Sequence, residues 1–227
     1  MFLPLRDDNP TSRWPVVTVL LIAANVAVFL FQIAVPHGLE SGVMRFGAVP
    51  YNIVHFRSAG ASAAFPPLLT LLTSMFLHGG LLHLLGNMLY LWIFGNNIED
   101  RLGPARFVLF YLACGLAAAL THTLAQPGSR VPMIGASGAI AGTLGAYAVV
   151  FPRARVRTLI FLIFYIDVVS VPAALVLGFW FLAQILNVGL GGGVAWFAHI
   201  GGFLAGILLI RLALGRGFGR GAGRART

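Results

Sequence analysis

The sequence predicts an all-α membrane protein, a polytopic bundle of six transmembrane helices with both termini in the cytoplasm. Three observations carry this reading. The 227 residues are 59% hydrophobic and only 9% charged, where an ordinary soluble domain is about a quarter charged. The apolar residues gather into six runs at or near the ~20 residues that a bilayer crossing needs. The positive charge is all arginine, and 12 of the 15 arginines fall at one set of span ends. Arginine marks cytoplasmic loops, so that set lies inside, and the net charge of +9 needs no nucleic-acid partner.

The elements follow in order. Residues 1–14 are a cytoplasmic segment; "MFLPLRDDNP" lacks the basic start and apolar core of a signal peptide, so the first run, 15–35, stays as an anchor. Residues 36–80 form an external connection too long to be a bare linker. Within it, "PPLLTLLTSMFLHGG" predicts an element lying against the membrane surface. The second and third spans are 81–98 and 106–126, and the fourth, 135–151, is short and rich in Ala and Gly. Thr158 to Val188 is too long for one straight span and carries Asp167 and Pro172. An interfacial or buried approach segment over 158–170 and a fifth span over 171–188 is the reading, with a seventh span as the alternative. The sixth span is 195–214, and the Gly/Arg-rich tail 215–227 is expected to be disordered, solvated and close to anionic lipid. The single cysteine, Cys114, cannot form an intrachain disulfide.

Polar residues inside these spans are not scattered. Ser137 lies four residues past the external entry of the fourth span at Met133, and His199 four past the entry of the sixth at Ala195. At helical rise both sit about 6 Å in. His83 and Asn87 follow the entry of the second span one turn apart on one face. Each alone could be packing or interhelical glue, but four polar groups at one depth on three spans argue for a shared site, because polar groups in a bilayer are costly. Ser137 could serve as a nucleophile once a base takes its proton, and His199 could be that base. Asn87, His83 and the Ser137 backbone N–H are donors for a developing oxyanion. No carboxylate is available at this depth, since Glu40 is the one acid on the external side and Glu99, Asp100 and Asp167 fall toward the cytoplasm. The expected pair is therefore a Ser–His dyad, with no cofactor and no metal. Gly138, Gly142 and Gly145 with Ala141 on the fourth span, and Gly202 and Gly206 on the sixth, form small-residue faces that let two backbones approach.

These residues resemble the motifs of the rhomboid intramembrane serine proteases. "GASG" (135–138) is similar to the family's nucleophile motif, "HLLGN" (83–87) to its His-x-x-x-Asn motif, and "AHIGGFLAG" (198–206) to the motif of its base. "NNIEDRLG" (96–103) resembles the boundary after the second span, and the likeness covers about residues 15–214. The resemblance implies a six-span catalytic domain in which Ser137 is the nucleophile and His199 the general base. His83, Asn87 and the Ser137 N–H would form the oxyanion hole. His78, Gly135, Gly138, Gly202 and Gly206 would support them. It further implies transmembrane protein substrates, cleaved near their outer ends through an acyl-enzyme. The compact six-span core without a targeting segment suggests a multi-pass location in a bacterial plasma membrane.

Two departures from the family pattern stand out. The usual Trp-Arg pair of the external connection is replaced by "LLTLLTS", and the aromatic that often follows the serine by four residues is Ala141. Trp196 or Phe197 is expected to brace the base instead. Phe179, Trp180 and Phe181 of "GFWFLAQ" are candidates for a lateral gate, or else lipid-facing and packing residues. Two rival readings remain, a catalytically silent rhomboid-like binding protein and a transporter with a His/Asn polar path. Substrate identity and oligomeric state are not set by the sequence.

Overall fold

In the computed structural model of the chain, the described residues are 2–35, 37–57, 65–162, 165–189 and 193–215. The tail 216–227 lies outside them. The six expected spans are all helices: α1 (Val16–Ala34), α5 (Leu81–Leu102), α6 (Pro104–Ala125), α7 (Ser137–Val150), α8 (Ala173–Leu186) and α9 (Trp196–Leu214). Between α1 and α5 lie α2 (Gly38–Phe46), α3 (Pro50–Val54) and α4 (Thr70–Thr73), the last flanked by single 3-10 turns. Among the described residues, α1, α6 and α9 are each long and apolar enough to cross a membrane. The segment Pro67–Phe76 joins α5 at a bend of 80° and makes a fourth such unit with it. α7 and α8 have 14 residues each, about 21 Å at helical rise, short of a full bilayer core.

The short α7 is the axis of the bundle. It is apolar on every side, the pattern of a helix enclosed by others, and every residue from Gly138 to Tyr147 is buried. α5, α6, α8 and α9 surround it. Its closest partner is α9. A Cβ at Gly202 would overlap the Gly138 carbonyl, and one at Gly206 would overlap the Gly142 carbonyl. The four-residue spacing on both helices puts these glycines on facing stripes, so two backbones meet without side chains between them.

The connection after α1 folds back onto the bundle. Ala48, Ile53 and Leu71 pack with Ala119 of α6, and Ala48 exchanges both backbone hydrogen bonds with Met133, at 3.0 and 2.8 Å. Leu71 and Met75 of the expected surface element turn inward, while Leu68, Leu69 and Leu72 stay exposed.

Two findings differ from the sequence reading. The described residues of the segment 158–170 are strands: they belong to β2 (Arg155–Leu162) and β3 (Tyr165–Pro172), which pair antiparallel, with β1 (Phe2–Asp7) from the N-terminal segment on the other edge of β2. The run "YIDVVSVP" is rich in β-branched residues, which suit a pleated strand, and its apolar content imitates a span.

Polar groups also do not stop at one depth. At the far end of α5 from His83, Asn97 and Glu99 are buried. Pro15, preceding α1, has no side-chain oxygen to cap that helix, and Glu99 supplies one. Its carboxylate accepts the N–H of Val17, the N–H of Thr18 and the Thr18 hydroxyl, each at 2.8 Å. A carboxylate at a helix N-terminus also meets the positive end of the helix dipole. Beside it, Asp7 Oδ2 accepts the Tyr147 hydroxyl at 2.6 Å and Asn97 Nδ2 at 2.8 Å, which ties β1 into the bundle.

Replacing Glu99 by Ala leaves three donors orphaned in a dry site, so Glu99→Ala is expected to lose about 2–4 kcal/mol, read as a lower melting temperature of the detergent-solubilised chain. Burial raises the Asp7 carboxyl above its ordinary value of 3.8, against the opposing hydrogen bond from Tyr147. The folded chain thus holds this proton more tightly than the unfolded one. The resulting stabilisation is complete below the ordinary value and is lost as pH rises through the raised one. Asp7→Asn, which keeps an acceptor without the charge, is expected to melt at or above the parent temperature at pH 8 and to flatten that dependence.

Candidate active site

Gly135 sets the entry to α7. Its φ is +113°, a region that side chains disfavour, and a Cβ there would stand 2.7 Å from His83 Nε2. Its N–H donates to the Ser74 carbonyl at 2.8 Å. This kink delays the helix, so Ser137 is the first residue of α7 and not a turn inside it, as the sequence reading had it. The Ile140 N–H is bonded to the Ala136 carbonyl at 3.0 Å. The N–H groups of Ser137, Gly138 and Ala139 therefore precede the first intrahelical bond.

Ser137 and His199 meet across the glycine contact: Ser137 Oγ lies 2.8 Å from His199 Nε2. On the other side of the ring, His199 Nδ1 lies 2.7 Å from Gln184 Oε1 of α8. Both side chains of the pair are half-buried, whereas Gln184 is buried. The Trp180 indole is tilted against the imidazole with centroids 5.8 Å apart, and Trp196 meets it edge-on at 6.2 Å. The bracing aromatic thus comes from α8 as well as from Trp196. Ala141, fully buried under Gly202, leaves room for the close helix contact.

The other predicted residues arrive from α5 and the loop before it. Asn87 and His83 line one cleft with Ser137 and His199, closed on the far wall by Trp180. Asn87 Nδ2 donates to His78 Nε2 at 2.9 Å, and both residues are buried. His78 is held by Gln32 of α1, whose amide bridges the His78 N–H at 3.1 Å and its carbonyl at 3.4 Å. The His83 ring stands edge-on to His78 at 5.0 Å. Where the Trp-Arg pair is missing, Thr73 donates its hydroxyl to the Phe46 carbonyl at 2.7 Å and ties the connection down. Of the three gate candidates, Trp180 faces the site, Phe181 stacks on Phe203 at 4.4 Å, and Phe179 is exposed.

Gln184 and Gln32 are the residues that sequence reasoning passed over. Gln184 was legible as the one amide in an otherwise apolar helix, but its partner lies 15 residues away on another helix. Gln32 closes a contact across 46 residues that no local pattern announces.

A multi-helix membrane protein with a serine–histidine pair at one end of its core is the class that fold and site define. A family model described as "Rhomboid domain" matches residues 66–216, more than half of the sequence, and the chain belongs to the rhomboid family. It is similar to Rhomboid protein 1, mitochondrial, of Saccharomyces cerevisiae: 32% identical over 151 residues, 62% of this chain and 40% of that protein. It is similar to Rhomboid protease GluP of Bacillus subtilis: 38% identical over 143 residues, 61% of this chain and 25% of that one. RHOMBOID-like protein 6, mitochondrial, of Arabidopsis thaliana is 35% identical over 140 residues, 61% of this chain and 41% of that one. The matches span less than half the length of these relatives.

The glycine contact makes the pair's geometry testable. A branched side chain at Gly206 must displace the Gly142 backbone. Gly206→Val is expected to slow labelling of Ser137 by a fluorophosphonate on the order of 100-fold, while Gly178→Val, at an open position, leaves it unchanged.

Proposed function

We propose that this chain is a serine endopeptidase that cleaves transmembrane segments of other membrane proteins by a Ser137–His199 dyad with an acyl-enzyme intermediate. The single observation that carries the reading is the 2.8 Å contact between Ser137 Oγ and His199 Nε2, at the mouth of a cleft where oxyanion donors also arrive. Family membership and a relative named as a rhomboid protease, GluP, support it.

In this reading His199 takes the hydroxyl proton as Ser137 Oγ attacks the substrate carbonyl, then delivers it to the leaving amine. The oxygen that becomes negative is met by Asn87 Nδ2, by the free N–H groups at the start of α7 and by His83. His78, bonded to Asn87, holds that amide in place. Water then attacks the acyl-serine with the same histidine as base. A helical peptide in lipid keeps its carbonyls bonded within the helix, so a substrate must unwind before it fits. Weak helix formers near its outer end make that cheaper. The cleft walls are α5, with Leu82 and Tyr90, and α8, with Trp180, and the substrate enters between them. The arginine asymmetry supports a reading with the Ser137 end outside and both termini in the cytoplasm. A bacterial plasma membrane is the proposed location; relatives named mitochondrial keep an organelle membrane as the alternative. The domain spans 15–214, between the N-terminal segment 1–14 and the basic tail.

Reconstituted with a labelled transmembrane substrate, the parent chain is expected to cleave while Ser137→Ala and His199→Ala do not. Asn87→Ala should lower kcat about 10²–10³-fold with KM little changed. Undiminished cleavage by both dyad variants overturns the reading.

A further inference from the structure

Gln184 makes a second contact that decides how its first one works. Its Nε2 donates to the Trp180 carbonyl at 2.9 Å. A carbonyl oxygen only accepts, so the amide nitrogen must be on that side, which turns Oε1 toward His199. Oε1 in turn only accepts, so the group facing it at 2.7 Å must be Nδ1–H. In a neutral imidazole the proton on Nδ1 leaves Nε2 as the lone-pair nitrogen, and Nε2 is the atom 2.8 Å from Ser137 Oγ. The chain of bonds from the Trp180 carbonyl through Gln184 and His199 to Ser137 therefore has one polarity.

We propose that Gln184 is a positioning residue that fixes His199 in the Nδ1–H tautomer, doing with a neutral amide what a carboxylate does in a Ser–His–acid triad. The proposal rests on the protease reading above. The amide suits its place: Gln184 is buried, along with Ala173 and Leu177, on the inward stripe of α8, where an ion would be costly to bury. The same stripe carries Trp180 and Phe181, while Phe179, Leu182 and Leu186 are exposed. α8 is thus held on one side only, and it is also a wall of the cleft. A movement of α8 that widens the cleft carries Gln184 with it, so the base is correctly protonated only while α8 is seated.

The test uses the full chain in nanodiscs and reads the tautomer and the kinetics separately. Nitrogen NMR of histidine-labelled protein, with the His199 signals assigned by their loss in His199→Ala, is expected to show Nδ1–H alone in the parent. In Gln184→Met, similar in size but without the acceptor, both tautomers are expected. With a transmembrane substrate, Gln184→Met should lose tenfold or more in kcat with KM within threefold. Gln184→Glu restores the acceptor and adds a charge that favours imidazolium. It should recover most of kcat at high pH and move the acidic limb of the rate profile up by about one pH unit. The titratable groups nearby, His83 and Tyr90 of α5 in the same cleft and His122 of α6, are the same in all variants. Melting temperatures separate a folding defect from a kinetic one, and if Gln184→Met does not fold, the Gln184→Glu profile decides. A parent without the Nδ1–H tautomer, an unchanged tautomer or kcat in folded Gln184→Met, or an unmoved acidic limb in Gln184→Glu overturns the proposal. Failure of the protease reading has a different signature: no Ser137-dependent cleavage by the parent, with the tautomer result standing.

Discussion

The contact between the α7 and α9 backbones is the constraint on which the rest of this molecule depends. Two helices can place a serine hydroxyl and an imidazole within hydrogen-bond reach only if their axes come closer than ordinary side chains allow. Gly138 against Gly202 and Gly142 against Gly206 remove those side chains. α7 is enclosed on all sides, and the small side chain of Ala141 lies under Gly202. The bracing of the histidine comes from α8 and from Trp196, and the helices stay close.

The second constraint is the cost of a polar group where water is absent. The chain carries two polar layers, one at each end of α5, and both are largely satisfied by contacts between elements. At one end Gln32 holds His78, and His78 holds Asn87. At the other, Glu99 serves the start of α1, and Asp7 joins β1 to Tyr147 and Asn97. The far layer fixes the positions of α1 and the N-terminal strand. The near layer brings amide donors and the His199 imidazole to one cleft. The same chemical pressure, to pair what is buried, yields a structural joint in one case and a candidate site in the other. What separates them is geometry: the far layer is closed, whereas the near one opens into the cleft between α5 and α8.

α8, like α1 and α9, leaves much of its surface exposed. It touches the bundle along one stripe and exposes the other, and yet it carries the partner of His199. In the proposed dependence of the base on Gln184, the position of α8 matters to the chemistry because it carries the contact to His199.

Much of this was legible in the sequence, for definite reasons. Apolar runs located the six helices to within a few residues, because a helix enclosed in a bundle or in lipid is apolar along its length. Depth along each run brought Ser137, His199, His83 and Asn87 to one level, and the small-residue spacing announced the α7–α9 contact. Local periodicity could not distinguish a β-branched, apolar strand pair from a membrane approach segment, so β2 and β3 were missed. It also could not see that the kink at Gly135 starts α7 at Ser137, since a backbone angle of this kind is set by the His83 ring and the Ser74 carbonyl, both far off in the chain. Partners were decided by the tertiary structure alone. Glu99 looked like a boundary residue and is the cap of another helix; Gln184 looked like an isolated amide and faces His199. Composition and spacing state which groups are buried and at what depth, but a hydrogen bond is short and directional, and only the packed helices determine which two groups meet.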